Sequence, residues 1–317
     1  INEFEHHEEY GYVVTHILDP DAALIGEKVK SYKIESIEEF DKILWSDPID
    51  EVFFALPPKK VPNFEDKLDF LNSLGINFHV MVNLDVFSKG IRNLNVKPFM
   101  DNWYNLPVIS FNPTDKKLFQ LIFKTYLEFI ITLGIFLVFS PILIIIPILI
   151  KLNSKGPVFF SQERVGYHGR KFNLLKFRTM TVDAEKKLKD LMSDNEQSGP
   201  VFKIENDPRI TEIGKFLRKF SLDELPQLYN VIRGEMNLVG PRPPLPSEVQ
   251  QYEPEWRRRL NMKPGITGLW QVTGRNNIID FKDWVALDLK YIDEWSLKLD
   301  LIIILKTIPQ MLKGSGK

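Results

Sequence analysis

For roughly the first hundred residues, short apolar runs alternate with amphipathic stretches. Tyr12–Leu18 (YVVTHIL), Glu51–Leu56 (EVFFAL) and Asn77–Val82 (NFHVMV) are apolar runs of strand length. Two stretches between them have helical spacing. Ser36-Ile-Glu-Glu39 is a capping box opening a helix to about Trp45, and Phe64–Leu74 is a helix stopped by Gly75. Strands alternating with helices predict βαβ units, a parallel sheet and an α/β domain over residues 1–97. A dinucleotide role needs a Gly-rich first turn, and no G-x-G-x-x-G is present. A regulatory or packing domain is the plainer reading.

The pattern then changes. Residues 98–125 read as a connector punctuated by Pro98, Pro107 and Pro113. Phe129–Ile150 (FIITLGIFLVFSPILIIIPILI) carries no charge and lies in a predicted membrane segment, 126–152. About 20 apolar residues cross a hydrocarbon core of about 30 Å as a helix. Two features oppose a straight span. Ser140-Pro141 sits mid-run, where proline removes a backbone hydrogen bond, and Pro147 follows. Both flanks are basic as well, with Lys116, Lys117 and Lys124 before and Lys151, Lys155 and Arg164 after. The sequence therefore favours a re-entrant helix broken at Ser140-Pro141 over a single straight crossing.

Residues 153–317 predict a mixed, mainly α domain. Its short β-like runs are Val158–Phe160 and Phe172–Leu175, and its helices lie near Asp183–Met192, Ile213–Phe220 and Pro226–Ile232. Leu297–Leu312 is apolar but short and charged, fitting a core or interfacial helix. Trp270, Trp284 and Trp295 suit either headgroup level or the core.

Charge narrows the function classes. Lys plus Arg total 41 against 42 for Asp plus Glu, so the balance predicts no nucleic-acid partner. The distribution is uneven, acidic up to Asp85 and Arg-rich from Arg164 to Arg275, which suits an anionic ligand or membrane face. The chain has no cysteine, so disulfides, thiolate metal sites and Cys nucleophiles are excluded. Its five histidines lack metal-ligand spacing past the first few residues. A chain starting at Ile1 is expected to be a fragment of something longer.

The densest chemistry lies in Ser221–Pro243 (SLDELPQLYNVIRGEMNLVGPRP). Asp223 and Glu224 are adjacent carboxylates. Ser221-x-x-Glu224 also matches a capping box, which on this stretch alone explains the acids as well as chemistry does. The surrounding cations, Arg218, Lys219, Arg233 and Arg242, are not needed for capping. Acids among cations at a helix start make a phosphate site in which a carboxylate stays ionised, able to attack phosphorus or to hold Mg²⁺. Two further clusters match. Lys176-Phe-Arg178-Thr179-Met180 follows a strand-like run. Gly265–Arg275 is a Gly-punctuated loop in which Trp270 and Gln271 suit a base and Arg275 an anion.

Together these blocks resemble one family. The order is an apolar run with Ser140-Pro141, GPVFFSQERVGYHG (Gly156–Gly169), KFRTM, SLDELPQLYNVIRGEMNLVGPRP and GITGLWQVTGR. It is similar to the bacterial sugar transferases, the monotopic phosphoglycosyl transferases that initiate exopolysaccharide, capsule and O-antigen synthesis. The match runs from about Lys124 to Lys313. The N-terminal part resembles the Rossmann-like domain of larger members, which carry a transmembrane bundle before it. Gly234-Glu235-Met236-Asn237 stands where Gly-Asp-Met-Ser is more usual.

The resemblance implies a re-entrant helix, Asp223 as nucleophile with Glu224 beside it, Mg²⁺ as cofactor, and Arg218 and Arg242 at phosphates. Metal binding is assigned to Asp223 and Glu224, and substrate binding to Lys176, Arg178, Arg218, Arg242, Gln271 and Arg275. The expected reaction moves a sugar-1-phosphate from a UDP-sugar, with a hexose expected, to undecaprenyl or another polyprenyl phosphate, releasing UMP. The expected setting is the cytoplasmic face of a bacterial inner membrane, among membrane lipid, with a homodimer favoured. One rival is a metal-dependent glycosyltransferase using Asp19-Pro-Asp21. The other is a non-catalytic membrane scaffold.

Overall fold

The computed structural model describes residues 13–81, 98–103, 106–111, 118–188, 199–201, 204, 207–274 and 280–314. The chain divides into two compact units, Ile1–Asp115 and Lys116–Lys317.

In the first unit, β1 (Ile17–Asp19), β2 (Lys28–Val29) and β3 (Tyr32–Ser36) form a small sheet in the order β1-β3-β2, with β1 and β3 parallel. Ser36 Oγ accepts from Glu38 N and starts a short 3-10 turn that leads into α1 (Phe40–Ser46). Next come β4 (Glu51–Phe54), α2 (Phe64–Leu74), β5 (Asn77–Met81), β6 (Pro98–Trp103) and β7 (Leu106–Phe111). Gly75 ends α2 at φ 67°, the left-handed cap its sequence predicts.

The second sheet runs β4-β5-β7-β6. Its β4–α2–β5 unit is parallel as expected, but β5–β7 and β7–β6 are antiparallel. Of the five strand pairs described in this unit, β1–β3 and β4–β5 are parallel as expected and the other three are antiparallel. Residues 98–103 and 106–111, read above as connector, form its hairpin. Their prolines were the reason for that reading. Pro98 opens the edge strand, and Pro107 lies beyond the last β5–β7 pair, Met81 with Val108, so neither interrupts that ladder. One face of the sheet packs Phe78, Val80, Ile109 and Phe111 into the core. On β5, buried His79 lies 2.7 Å from Ser110 Oγ and 3.1 Å from Glu51 Oε2, tying β7 and β4 together.

The second unit opens with α3 (Leu118–Asn153), 36 residues long and apolar enough to cross a membrane. Helical backbone continues through Ser140 and Pro141, where the sequence predicts a break. Pro141 has no N–H for the carbonyl of Leu137, and Ser140 Oγ donates to that carbonyl at 2.8 Å instead. The missing bond is replaced locally, and the helix is not interrupted.

One face of α3 is buried in this unit. It carries Lys124, Glu128 and Thr132 towards its start and Ile146 and Ile150 towards its end. Most other large side chains are exposed, among them Tyr126, Ile130, Leu137, Val138 and Ile144. Lys124 is 1 % exposed and bonds Glu128 Oε1 (2.8 Å), Asp300 Oδ2 (2.7 Å) and Val239 O (3.0 Å).

A hairpin of β8 (Phe159–Val165) and β9 (Lys171–Phe177) follows, and then α4 (Ala184–Leu188), α5 (Glu212–Lys219) and α6 (Gln227–Ile232). β10 (Asn237–Val239) pairs in parallel with β11 (Gly265–Thr267), and α7 (Pro246–Val249) lies between them in sequence. Helices α8 (Leu269–Gly274), α9 (Phe281–Asp293) and α10 (Leu297–Leu312) close the unit. It is mixed and mainly α, as expected. Trp270 and Trp284 are buried core residues with ring centroids 4.1 Å apart, and half-buried Trp295 donates to Asp300.

The β10–β11 pairing requires backbone contact at a glycine. A Cβ on Gly265 would stand 2.0 Å from Gly240 N, whereas one on Gly134 in α3 meets nothing within 4 Å. Gly265→Ala should therefore cost more than about 2 kcal/mol through overpacking. Gly134→Ala should cost nothing and gain up to about 1 kcal/mol of helix propensity. Thermal melts of the detergent-solubilised variants check both.

Candidate functional site

The turn carrying the two acids is a 3-10 segment, Leu222–Glu224, which follows α5 and precedes α6. Ser221 enters it at φ 55°, in left-handed backbone, and makes no side-chain cap bond. Helix α6 starts only at Gln227, behind Pro226. The acids therefore form no capping box, and the competing explanation for them falls away. Leu222 and Leu225 root the turn in the core, and Asp223 is buried.

The KFRTM segment supplies much of the surroundings. Lys176 Nζ donates to Glu224 Oε1 at 3.0 Å. Thr179 holds α5: its carbonyl accepts from Thr211 N at 2.9 Å, and its hydroxyl accepts from Arg218 Nε at 3.0 Å. Burial draws the Arg218 guanidinium below the ordinary arginine range, and the charges of Asp223 and Asp207 oppose that shift. Arg218 is thus fixed at Thr179, on the helix that leads into the carboxylate turn.

Arg178 does not join it. Its Nη2 donates to Ser154 O (2.9 Å) and Ser154 Oγ (2.7 Å), fastening the backbone just after α3, and its guanidinium lies close over Gly156. Arg178 Nη2 thus clamps the end of the membrane-length helix, while its Nε and Nη1 are buried with no hydrogen-bond partner among the described residues.

Arg242 follows β10 in the Gly240-Pro241-Arg242-Pro243 loop. Its Nη1 bonds Glu248 Oε2 at 3.0 Å, and its guanidinium lies 5.4 Å from the Trp284 ring centroid. Beside it is a residue to which the sequence reading assigned no site role of its own. Arg164, on β8, is 9 % exposed, and its Nη1 donates to Pro243 O at 3.1 Å. Its place inside GPVFFSQERVGYHG was the available signal, because a solvated flank charge needs no such context.

The Gly265–Arg275 stretch departs further from expectation. Gly265 and Gly268 let backbone approach Gly240 and not a ligand. Trp270 is buried against Trp284, so its ring is core. Gln271 is half-buried on α8, which packs against α9 and α10, and none of the described contacts joins it to the carboxylates. Arg275 lies outside the described residues.

No group of three or more His, Cys, Asp or Glu able to hold a metal occurs among the described residues. Asp223 and Glu224 are adjacent hard-oxygen donors. That set suits Mg²⁺, which retains water and takes its remaining ligands from substrate phosphates.

The second unit thus combines a helix long and apolar enough to cross a membrane with a buried acid turn whose Glu224 accepts from Lys176. The bacterial sugar transferase family matches residues 119–314. The chain is 38% identical over 317 residues to galactosyl transferase CpsE of Streptococcus agalactiae serotype III (strain NEM316), covering 99% of this chain and 69% of that protein. It is 39% identical over 197 residues to undecaprenyl-phosphate galactose phosphotransferase of Salmonella typhimurium, covering 61% of this chain and 41% of the relative. Undecaprenyl-phosphate glucose phosphotransferase of Komagataeibacter xylinus is 34% identical over 284 residues, covering 86% and 50%. The chain belongs to the bacterial sugar transferase family.

The left-handed entry to the acid turn makes a testable demand. Ser221→Gly should leave stability unchanged or raise it by up to about 1 kcal/mol, because glycine takes that backbone without strain. Ser221→Val should lower it by about 1–2 kcal/mol. Denaturant titration of the pair reads the difference.

Proposed function

We propose that this enzyme transfers a sugar phosphate from a UDP-sugar to a polyprenyl phosphate, through a covalent phospho-sugar on Asp223. The observation that carries the reading is a buried carboxylate, Asp223, on a 3-10 turn beside Glu224, with Lys176 on Glu224 and Arg218 held at Thr179. The names of the Salmonella and Komagataeibacter relatives supply the acceptor class and a hexose donor.

In the first step an Asp223 oxygen attacks the donor's β-phosphorus, the bond to the bridging oxygen breaks, and UMP leaves with that electron pair. In the second an oxygen of the lipid phosphate attacks the same phosphorus. Asp223 leaves as carboxylate, and a polyprenyl-diphosphate sugar is formed. Arg218 stabilises the charge on the phosphoryl oxygens in both steps, and Lys176 orients Glu224. Mg²⁺, held by Asp223 and Glu224 when bound, would neutralise phosphate oxygens. The rival built on Asp19-Pro-Asp21 has little support. Asp19 and Asp21 accept from Asp21 N and Ala23 N, so both side chains cap a turn.

We further propose that α3 enters and leaves the bilayer on one face, the cytoplasmic face of a bacterial inner membrane. Residues near both its ends, Lys124 and Ile150, are buried in the same unit. A straight helix of 36 residues would be about 54 Å long against a core of about 30 Å. Cysteines placed at Lys117 and Lys155 should be shielded alike from an impermeant reagent applied outside. Labelling of one alone means a straight crossing.

The chemical step has a direct test. With UDP-sugar and Mg²⁺ but no lipid acceptor, the peptide containing Asp223 should gain the mass of a hexose phosphate, and polyprenyl phosphate should remove it. Asp223→Asn should fold and melt like wild type while UMP release falls by several orders of magnitude, at about 1.4 kcal/mol of barrier per tenfold. Near-normal release from that variant would sink the proposal.

A further inference from the structure

The loop that carries Arg242 is fixed from outside by β8. Val165 N donates to Pro244 O at 2.9 Å, and Arg164 Nη1 donates to Pro243 O at 3.1 Å. Arg164 Nη2 also bonds Gln162 Oε1 at 2.7 Å. Its guanidinium is therefore held on two sides within its own strand and the Arg242 loop. Its Nε is buried with no hydrogen-bond partner among the described residues.

The local charges do not balance. Arg164 and Arg242 bring two cations to one carboxylate, Glu248, which is 2 % exposed and also accepts from Leu245 N. The neighbouring Arg259 is matched by Asp288 at 2.6 Å, so it adds no uncompensated charge. Burial lowers the affinity of Arg164 for its proton, and the charge of Arg242 lowers it further, while Glu248 and Glu224 oppose both. Arg164 bonds the backbone next to Arg242 and keeps an unsatisfied buried N–H. It shares one face of the β8–β9 hairpin with Lys176, which holds Glu224. This arrangement calls for an anion.

We propose that Arg164 is the buried half of a two-guanidinium phosphate seat shared with Arg242, which holds the donor's diphosphate at the Asp223–Glu224 turn. This rests on the donor reading above. The shared chemistry is a phosphate, and the lipid acceptor carries one too, so the test separates the sources. It also separates a direct contact from a merely structural one.

Binding of UDP and of uridine would be measured by calorimetry on the full chain in detergent, without turnover. Arg164→Gln should weaken UDP at least tenfold and leave uridine, where wild type binds it, within about twofold. Its melting temperature should stay within a few degrees of wild type. Arg164→Lys keeps the charge but not the planar fork and should fall between the two; it carries the test if Arg164→Gln fails to fold. In competition, with UDP set to the same fractional saturation of each protein, vesicles containing polyprenyl phosphate should displace it equally from Arg164→Lys and from wild type. Equal UDP affinity in wild type and both variants overturns the seat while leaving the donor reading intact. Variants that bind UDP normally but transfer poorly to lipid move Arg164 to the acceptor and overturn it too. A wild-type protein that does not bind UDP overturns both readings.

Discussion

A charge taken out of water must find its counter-charge inside the fold, because an uncompensated buried ion costs several kcal/mol. Lys124 shows how much of the second unit depends on this. It lies on a helix otherwise suited to lipid, yet it is 1 % exposed and meets two carboxylates from different elements, Glu128 on α3 and Asp300 on α10. Glu128 in turn accepts from Leu238 N and Val239 N, and Tyr291 and Trp295 donate to Asp300. Four elements thus meet at one ammonium group. Because Lys124, Glu128 and Thr132 repeat at a spacing of four, the network fixes the rotation of the helix. Tyr126, Ile130 and Leu137 are left on the outer surface.

The same rule sorts the cations of the catalytic region. Asp207 holds Arg209, Asp288 holds Arg259, and Glu224 holds Lys176. Arg178 Nη2 donates to backbone and hydroxyl at the end of α3, while its Nε and Nη1 are buried with no hydrogen-bond partner among the described residues. Arg164 is likewise buried and held by neutral oxygens, while Arg242 bonds Glu248. An Arg-rich sequence block therefore resolves into cations paired with carboxylates and buried cations held by neutral oxygens.

Local signals in the sequence were legible where one residue type forces one backbone. Gly75 stops α2, Ser36 starts the turn before α1, and Lys176 meets the adjacent acids at Glu224. Long-range signals were not. Prolines at 98 and 107 look the same in a linker and at the margins of a hairpin, and only the pairing with β5 distinguishes the two. Gly265 and Gly268 look like ligand-approach glycines, and only the position of Gly240 shows that backbone is what they admit. Trp270 reads as a base platform until Trp284 is placed against it. Arg164 was missed for a related reason, since burial is not written in the identity of an arginine.

The membrane helix shows where a local rule gives way. In isolation, proline is a helix breaker because it leaves a carbonyl without its N–H, and in lipid no water can take that place. The hydroxyl of Ser140 does, at 2.8 Å from Leu137 O. A Ser-Pro pair therefore gives a helix that has lost one rigid backbone bond while every group concerned stays satisfied, which is what a bend inside a bilayer would require. The flanking charges need a similar rereading. Lys124 and Arg164 are buried in the domain and unavailable to a headgroup, whereas Lys151 and Lys155 are exposed. The case for both ends lying on one face thus passes from the count of basic residues to the domain that buries both arms, an argument about packing that composition alone could not make.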